Sequence, residues 1–453
     1  MTSLAGARRV HVVGVGGAGM SGVARLLVER DVIVTGSDAN DSPRLEELRL
    51  VGVNVVRGHD PELAAQAELI LWSPAVRDDD PELLSARAKG ATLLTRAELF
   101  GELTEMAAVI GLCGTHGKTT ATSMMVHVAR AAHLDVGWLV GADVIGVGAN
   151  GHWGGDGLVV EVDESYGTFE NMAPRALGIL NVEADHLDHY GSLANLEGAF
   201  SRLVARTSGP VVVWHDDPGA ARVSATRADV ITVGTSECAW IVRDVKLSRR
   251  GATFTLAGPG ETFSLRLGVT GEHNVANAAV VAVLARAQGV EPSAVGEGLA
   301  NFKGAPRRFE FRRRWLGADV YEDYAHLPGE IRATLRATRA LGYERPLVIF
   351  QPHRVTRTLA LVDAFADAFE GAAWLLVTDL YDAGEANPTG VSGEIVADAV
   401  RHAHPDSNVT YVGSLNNVVP AATELFDDDD IDVVLVLGAG DVPTVIESMV
   451  PTP

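Results

Sequence analysis

The chain has 453 residues, 47% of them apolar and 21% charged, and a formal net charge of −22. That length allows about three domains of the usual ~100–200 residues, and the composition is that of a globular protein. So acidic a surface repels a phosphate backbone and argues against nucleic-acid binding, two cysteines are too few for a disulfide scaffold, and no apolar run approaches the ~18–20 residues needed to enter and span a bilayer.

The N-terminal residues pass directly into a strand-like run, with no separate apolar segment and cleavage site, so no signal peptide and a cytoplasmic location are expected. Short β-branched runs at 10–13, 32–35, 69–72, 109–112, 158–162, 177–181, 346–350, 374–378 and 433–437 alternate with stretches of helical character. This pattern predicts α/β domains with largely parallel sheets. Between 232 and 269 the period becomes two, with glycine breaks, which predicts antiparallel strands or a β-rich insert. Three phosphate-loop-like turns, after the strands ending at Val13, Leu112 and Leu437, mark out three domains: 1–104, 105–312 and 313–453. The second boundary is drawn at an arginine-rich break, Arg312–Arg314, and the acidic run 427–430 reads as a solvated loop.

Gly14, Gly16, Gly17, Ala18 and Gly19 follow the first strand. Glycines there let a diphosphate approach the N-terminus of a helix, whose free amides and dipole favour negative charge. Asp38, about one βα unit later, suits a ribose hydroxyl. Taken alone, the turn fits a dinucleotide, another nucleotide diphosphate, or a close-packed corner with no ligand.

The second turn, Gly114-Thr115-His116-Gly117-Lys118-Thr119-Thr120, is more restrictive. Successive amides cradle phosphates, Lys118 reaches the β and γ oxygens, and the Thr119 hydroxyl suits Mg²⁺. It is a short form of the phosphate loop, with Leu112 where the usual first glycine falls. Lysine is scarce in this chain, which makes Lys118 more informative.

A glycine turn followed about a hundred residues later by this short loop resembles the Mur ligase family. Further segments are similar to family motifs, in family order: Glu161-Val-Asp163-Glu164-Ser165, Asn181-Val-Glu183-Ala-Asp185-His186, Gly271-Glu-His273-Asn274-Val-Ala-Asn277, Arg307-Arg308-Phe309, Glu322-Asp323-Tyr324-Ala-His326 and Phe350-Gln-Pro-His353-Arg354-Val-Thr-Arg357. The resemblance implies a Rossmann-like N-terminal domain, a central P-loop ATPase-like domain and a Rossmann-like C-terminal domain. It implies an ATP-dependent amide ligation with UDP-N-acetylmuramate and L-alanine as substrates, an acyl-phosphate intermediate, Mg²⁺ as cofactor, and a monomer or homodimer. UDP-sugar contacts are expected at Gly14, Gly16, Gly17, Ala18, Gly19, Asp38 and Ser73. ATP contacts are expected along Gly114–Thr120 and at Asn274, Asn277, Arg308 and Asp323. Amino-acid contacts are expected at Tyr324, His326, His353 and Arg354.

The residues also read independently. Glu161 ends a buried strand, where a carboxylate is a natural Mg²⁺ ligand. Asp163 and Glu164 are rivals, more simply explained by loop solvation or helix capping. His186 reads as a hydrogen-bonded loop histidine, since hard Mg²⁺ prefers oxygen; the family makes it a metal ligand with Thr119 and Glu161. Asn274 and Asn277 open an alanine-rich helix, where asparagine is unfavourable without a polar task; capping would serve for Asn274. Arg308 resembles the family arginine at the transferring phosphate, and Arg307 reads as a surface charge. Asp323 resembles a nucleotide-contacting carboxylate, a role that requires its domain to close. A histidine with a pKa near neutral suits deprotonation of the amino-acid amine. Cys113 reads as core.

No lysine lies between Lys118 and Lys246, so a carbamylated lysine of the kind some relatives use there is excluded. The chain departs from the family pattern at Tyr166, Glu322, Leu327 and Val355, near the expected acceptor and amino-acid sites. Competing readings are a ligase of murein peptides, an NAD-dependent oxidoreductase read from the first turn alone, and a non-catalytic UDP-sugar-binding regulator.

Overall fold

The computed structural model describes residues 3–73, 76–388, 390–428 and 430–450. It divides into two compact units, Met1–Ala305 and Pro306–Pro453. The first unit carries two sheets. Its N-terminal sheet is parallel throughout, in the order Asn54–Arg57, Ile33–Asp38, Arg9–Val13, Leu69–Trp72, Thr92–Thr95. Strand order reverses beside Arg9–Val13, and the glycine turn leaves the carboxyl end of that strand, where open sheets of this kind form a crevice. Leu69, Ile70 and Leu71 are all fully buried, as expected of a strand covered on both faces.

The middle sheet has ten strands in the order Glu261–Leu267, Gly251–Gly258, Trp240–Ser248, Ile231–Gly234, Val211–Trp214, Ala176–Ile179, Val109–Cys113, Leu158–Val162, Gly137–Leu139, Gly151–His152. Gly251–Gly258 pairs antiparallel with both Glu261–Leu267 and Trp240–Ser248, as the alternating pattern predicts. Ile231–Gly234, within the same stretch, pairs parallel with both neighbours. Three helices of this unit start on one device. Asp60, Asp80 and Asp217 accept the amides of Leu63, Glu82 and Ala220, each followed by a proline in the first helical turn.

The two sheets approach through backbone. A Cβ on Gly151 would lie 2.2 Å from the carbonyl oxygen of Gly22, in the helix Ala18–Val28, and one on Gly22 would lie 2.6 Å from Leu139 Cδ1. Asn150 Nδ2 donates to the Ala18 carbonyl at 2.6 Å and to Ser21 Oγ at 3.0 Å across the same seam.

The second unit holds one six-stranded sheet, ordered Glu310–Trp315, Ala318–Asp323, Val433–Leu437, Pro346–Phe350, Trp374–Thr378, Val409–Gly413, parallel except for the first pair. Arg312–Arg314 is therefore no break: it lies inside an edge strand. Arg312 pairs with Glu322 and Glu447, and Arg313 donates to the Met449 carbonyl at 2.8 Å. Charged side chains on an edge discourage further strand pairing, and the same charges hide the strand's pattern. Asp323 is the last residue of the strand Ala318–Asp323. Among the described residues no helix is long and apolar enough to cross a membrane.

Because Gly151 faces backbone that cannot rotate away, Gly151→Ala is expected to lower stability by about 1–3 kcal/mol, read as a reduced urea midpoint; an unchanged midpoint would show that the seam is not close-packed.

Candidate active site

The phosphate loop follows Val109–Cys113, between strands Ala176–Ile179 and Leu158–Val162. Gly117, at φ 82°, caps the helix Lys118–Ala131. A Cβ there would sit 2.8 Å from Asn277 Nδ2, so the buried Asn277 carboxamide packs directly on the loop. Asn274 is neither exposed nor the cap: its Nδ2 donates to the Thr270 carbonyl at 2.7 Å, and Gly271 precedes the helix. Asn181, two residues past the neighbouring strand Ala176–Ile179, ties the loop down, accepting from the His116 amide at 2.7 Å and donating to the His116 carbonyl at 3.1 Å. Cys113 is fully buried, and burial pushes its thiol well above the usual range, as fits a core residue.

Strand register sets the carboxylates. Leu112 is opposite Glu161, one residue before the strand end. Glu161 Oε1 accepts the Thr119 hydroxyl at 2.9 Å, and its Oε2 accepts the Gly141 amide at 2.6 Å. Glu164 departs from its expected role. It is completely buried, and its carboxylate holds Lys118 Nζ at 2.8 and 2.9 Å. Lys118 also donates to the carbonyls of Gly114 (2.9 Å) and Thr115 (3.2 Å). Burial opposes the Lys118 charge, but Glu164, Asp163 and Glu161 outweigh it and hold its pKa above the ordinary lysine value. Asp163 does cap locally, accepting from the Ser165 amide and hydroxyl, and also faces Arg96 at 3.3 Å. Burial raises its pKa, but Arg96 and Lys118 win and hold it low.

A cavity of about 260 Å³ joins these carboxylates to the first glycine turn. Gly17, Ala18, Gly19, Ser73, Arg96, Gly141, Glu161 and Asp163 line it. Asp38 lies at the turn but is already engaged, accepting from the Gly16 amide at 2.9 Å and the Asn40 amide at 3.0 Å. Arg96 carries no sequence motif beyond following Thr95, which forms a capping box with Glu98. A larger cavity of about 770 Å³ is lined by Trp72, Val76, Arg77, Thr95 and Tyr166. Tyr166, the departure from the family pattern, stands exposed there with φ at 52°. His186, at φ 50°, lies 3.8 Å from Asp185, and their donor atoms together with those of Glu164 fall within 4.8 Å of one another. His186 is thus beside two further oxygen donors.

In the second unit, Arg307 and Arg308 stack over the Tyr324 ring at 4.9 and 5.3 Å. Arg307 is no mere surface charge. It pairs with the buried Glu322 at 2.8 Å and donates to the Gly438 and Gly440 carbonyls at 2.7 and 3.0 Å. The third glycine turn is therefore filled rather than open: Arg307 takes its carbonyls, and Gln351 bonds Asp441 and the Val442 amide. Asp323 accepts the amides of Phe309 (2.7 Å) and Ala325 (2.8 Å). Burial pushes its carboxyl up to about 6, against those amides and Arg308. Tyr324, His326 and His353 do gather, with ring centres 5.4 and 5.7 Å apart, and His353 stacks on Tyr381. Arg357 donates to His353 Nδ1 at 3.1 Å, while Arg354 points to Glu385 at 3.8 Å. The expected near-neutral histidine is not found here. Burial, with His326 and the arginines 354 and 357 adding to it, pushes His353 down to about 4, and burial also lowers His326.

Three family models match successive segments: Mur ligase family, catalytic domain over 9–107, Mur ligase middle domain over 112–285, and Mur ligase, glutamate ligase domain over 307–440. The UDP-N-acetylmuramate–L-alanine ligase of Thermobifida fusca is 39% identical, over 97% of this chain and 96% of its own. That of Kineococcus radiotolerans is 41% identical over 96% and 94%. The chain belongs to the Mur ligase family. The solved UDP-N-acetylmuramate-alanine ligase MurC of Thermotoga maritima superposes with a TM-score of 0.83 at 28% identity, covering 97% of this chain and 98% of that one. A murein peptide ligase from Psychrobacter arcticus shares the fold at TM-score 0.69 with 22% identity, over 98% of both chains. The three-domain α/β reading of the sequence stands with these likenesses.

Within this Mur ligase two outcomes follow from the geometry. Lys118→Ala leaves Glu164 buried without its cation, so it is expected to cost about 3 kcal/mol of stability at neutral pH as well as turnover; Lys118→Met with Glu164→Gln should regain most of the stability in urea unfolding. An NMR titration should place the His353 midpoint near 4. A lowered histidine pKa means that the folded state binds fewer protons than the unfolded state, so this contribution to stability falls as pH drops from ~6.5 towards 4; a midpoint near 6.5 would remove it.

Proposed function

We propose that the chain joins L-alanine to UDP-N-acetylmuramate at the expense of ATP, forming ADP and phosphate, as a cytoplasmic step of peptidoglycan precursor synthesis. The observation that carries the reading is Glu161. It is bonded to Thr119 of the phosphate loop and lines the same cavity as the diphosphate-type turn Gly17–Gly19. A nucleoside-diphosphate sugar on one side and a triphosphate on the other are thereby brought to one carboxylate-lined space.

In this reading, residues 1–104 hold the UDP-sugar through Gly14, Gly16, Gly17, Ala18, Gly19, Asp38 and Ser73. Residues 105–312 hold ATP through Gly114–Thr120, Asn274 and Asn277. Arg308, near the end of that segment, joins them at the nucleotide. Residues 313–453 supply Asp323 for the nucleotide, and Tyr324, His326, His353 and Arg354 for the amino acid. The sugar-acid carboxylate oxygen attacks the γ-phosphorus; its bond to the ADP oxygen breaks, leaving an acyl phosphate. The amine, having lost a proton, attacks the acyl carbon, and phosphate leaves with the electron pair of the C–O bond. Lys118 and Arg308 neutralise charge on the transferring group, and the loop amides position it.

Magnesium fits the donor set at the loop: Thr119 and Glu161 offer the hard oxygens it prefers, and His186 is flanked by the oxygens of Glu164 and Asp185. When bound it would offset phosphate charge that Lys118 alone cannot balance. The expected outcome is phosphate release that requires ATP, Mg²⁺, UDP-N-acetylmuramate and L-alanine together, with a product mass matching the L-alanine amide. Equal release with glycine or L-serine would remove the specificity, and release with no single amino acid would remove the function.

A further inference from the structure

A second convergence of donors lies in the N-terminal sheet, apart from the residues assigned above. His59 follows strand Asn54–Arg57, Asp80 caps the helix Pro81–Ala88, and Glu82 lies in that helix's first turn. His59 Nδ1 is 3.3 Å from Asp80 Oδ2 and 3.4 Å from Glu82 Oε2. Donors bound at the 2.0–2.2 Å typical of zinc stand ~3.3–3.6 Å apart in a tetrahedron, so these two edges are those of a coordination shell, and all three donor atoms lie within 4.8 Å of one another.

Two independent observations indicate that the group is incomplete. Glu82 is fully buried and Asp80 nearly so, yet among the described residues neither pairs with lysine or arginine; imidazoles are their only ionic partners. Buried charges are ordinarily paired or bound to metal. His11 is also fully buried. Its Nδ1 is held by Thr35 Oγ1 at 2.7 Å, while its Nε2 has no hydrogen-bond partner and faces Glu82 Oε1 at 3.4 Å.

We propose that His59 Nδ1, Asp80 Oδ2 and Glu82 Oε2 bind a borderline divalent transition ion of the zinc class, with water completing its shell. A mixed nitrogen and carboxylate set favours such an ion over magnesium. The half-exposed His59 opens the site to solvent. The supporting shell is already in place: Ser37 Oγ donates to Glu82 Oε2 at 2.6 Å, the Asp60 amide to Oε1 at 2.8 Å, and the Glu82 amide to Asp80 Oδ1 at 2.8 Å. Such partners fix the orientation of metal-binding carboxylates. Ser37 adjoins Asp38, which holds the Gly16 amide, so the ion would brace the strand end that carries the first glycine turn.

The test uses the full chain, stripped with chelator and kept in saturating magnesium to occupy the oxygen donors around Thr119 and Glu161. Co²⁺ titration should give the visible absorption of a low-coordinate complex at one equivalent, displaced by one equivalent of Zn²⁺. His59→Ala, on the surface, should weaken Co²⁺ binding at least tenfold with unchanged thermal unfolding of the metal-free protein. Asp80→Asn should weaken it as well, and His186→Ala should leave it as it was. No absorption in the unaltered chain, an unchanged titration in His59→Ala, or loss of the signal in His186→Ala would each overturn the assignment.

Discussion

The catalytic half of the first unit is organised around one buried ion pair. Lys118 does not wait in an open loop; it is held by Glu164 and by two carbonyls of its own turn. Glu161, Asp163 and Glu164 crowd the end of one strand, and the cations that face them are Lys118 and Arg96. A triphosphate adds further negative charge to a place where negative charge is already in excess. In the proposed reading, Lys118 would exchange carboxylate for phosphate, and divalent cations would take over the acids that it leaves. Burial of Glu164 makes that exchange costly without a replacement cation, because an unpaired carboxylate in low dielectric is heavily penalised. Restoring that charge balance is the task that the proposed magnesium ion would serve.

Sheet register makes this arrangement possible. Glu161 reaches Thr119 because its strand runs parallel to the one feeding the loop, with Leu112 opposite it. Its second oxygen takes the Gly141 amide, and Gly141 borders the cavity that runs to Gly17–Gly19. That cavity stays narrow because the helix after the first turn meets the middle sheet through glycines, Gly22 against Gly151, where side chains would force the sheets apart. One carboxylate therefore links the positions of two glycine turns that arise about a hundred residues apart.

Most strands were readable because they are covered on both faces and so appear as unbroken β-branched runs; Leu158–Val162 and Val433–Leu437 fall where that pattern puts them. The edge strand Glu310–Trp315 was not, since its arginines answer to Glu322, Glu447 and the Met449 carbonyl rather than to a core. At the candidate site, the loop, Glu161 and the histidine–tyrosine group were visible as motifs. The Lys118–Glu164 pair was not, because it joins residues 46 positions apart and leaves no local pattern. Arg96 was missed for the same reason. Arg307 was misjudged because exposure cannot be read from charge: the buried Glu322 reaches it from within the sheet.

The two histidines of the second unit also separate on hydrogen-bonding grounds. A guanidinium can only donate, so the bond from Arg357 makes His353 Nδ1 an acceptor and, in the neutral ring, places the proton on Nε2. A carbonyl can only accept, so the contact of His326 Nδ1 with the Tyr324 carbonyl places the proton on Nδ1 and leaves a lone pair on Nε2. Burial lowers the pKa of both rings, which keeps both neutral at pH 7 and preserves those tautomers. Between two residues that the sequence could not tell apart, His326 thus presents Nε2 as an acceptor and His353 presents Nε2 as a donor.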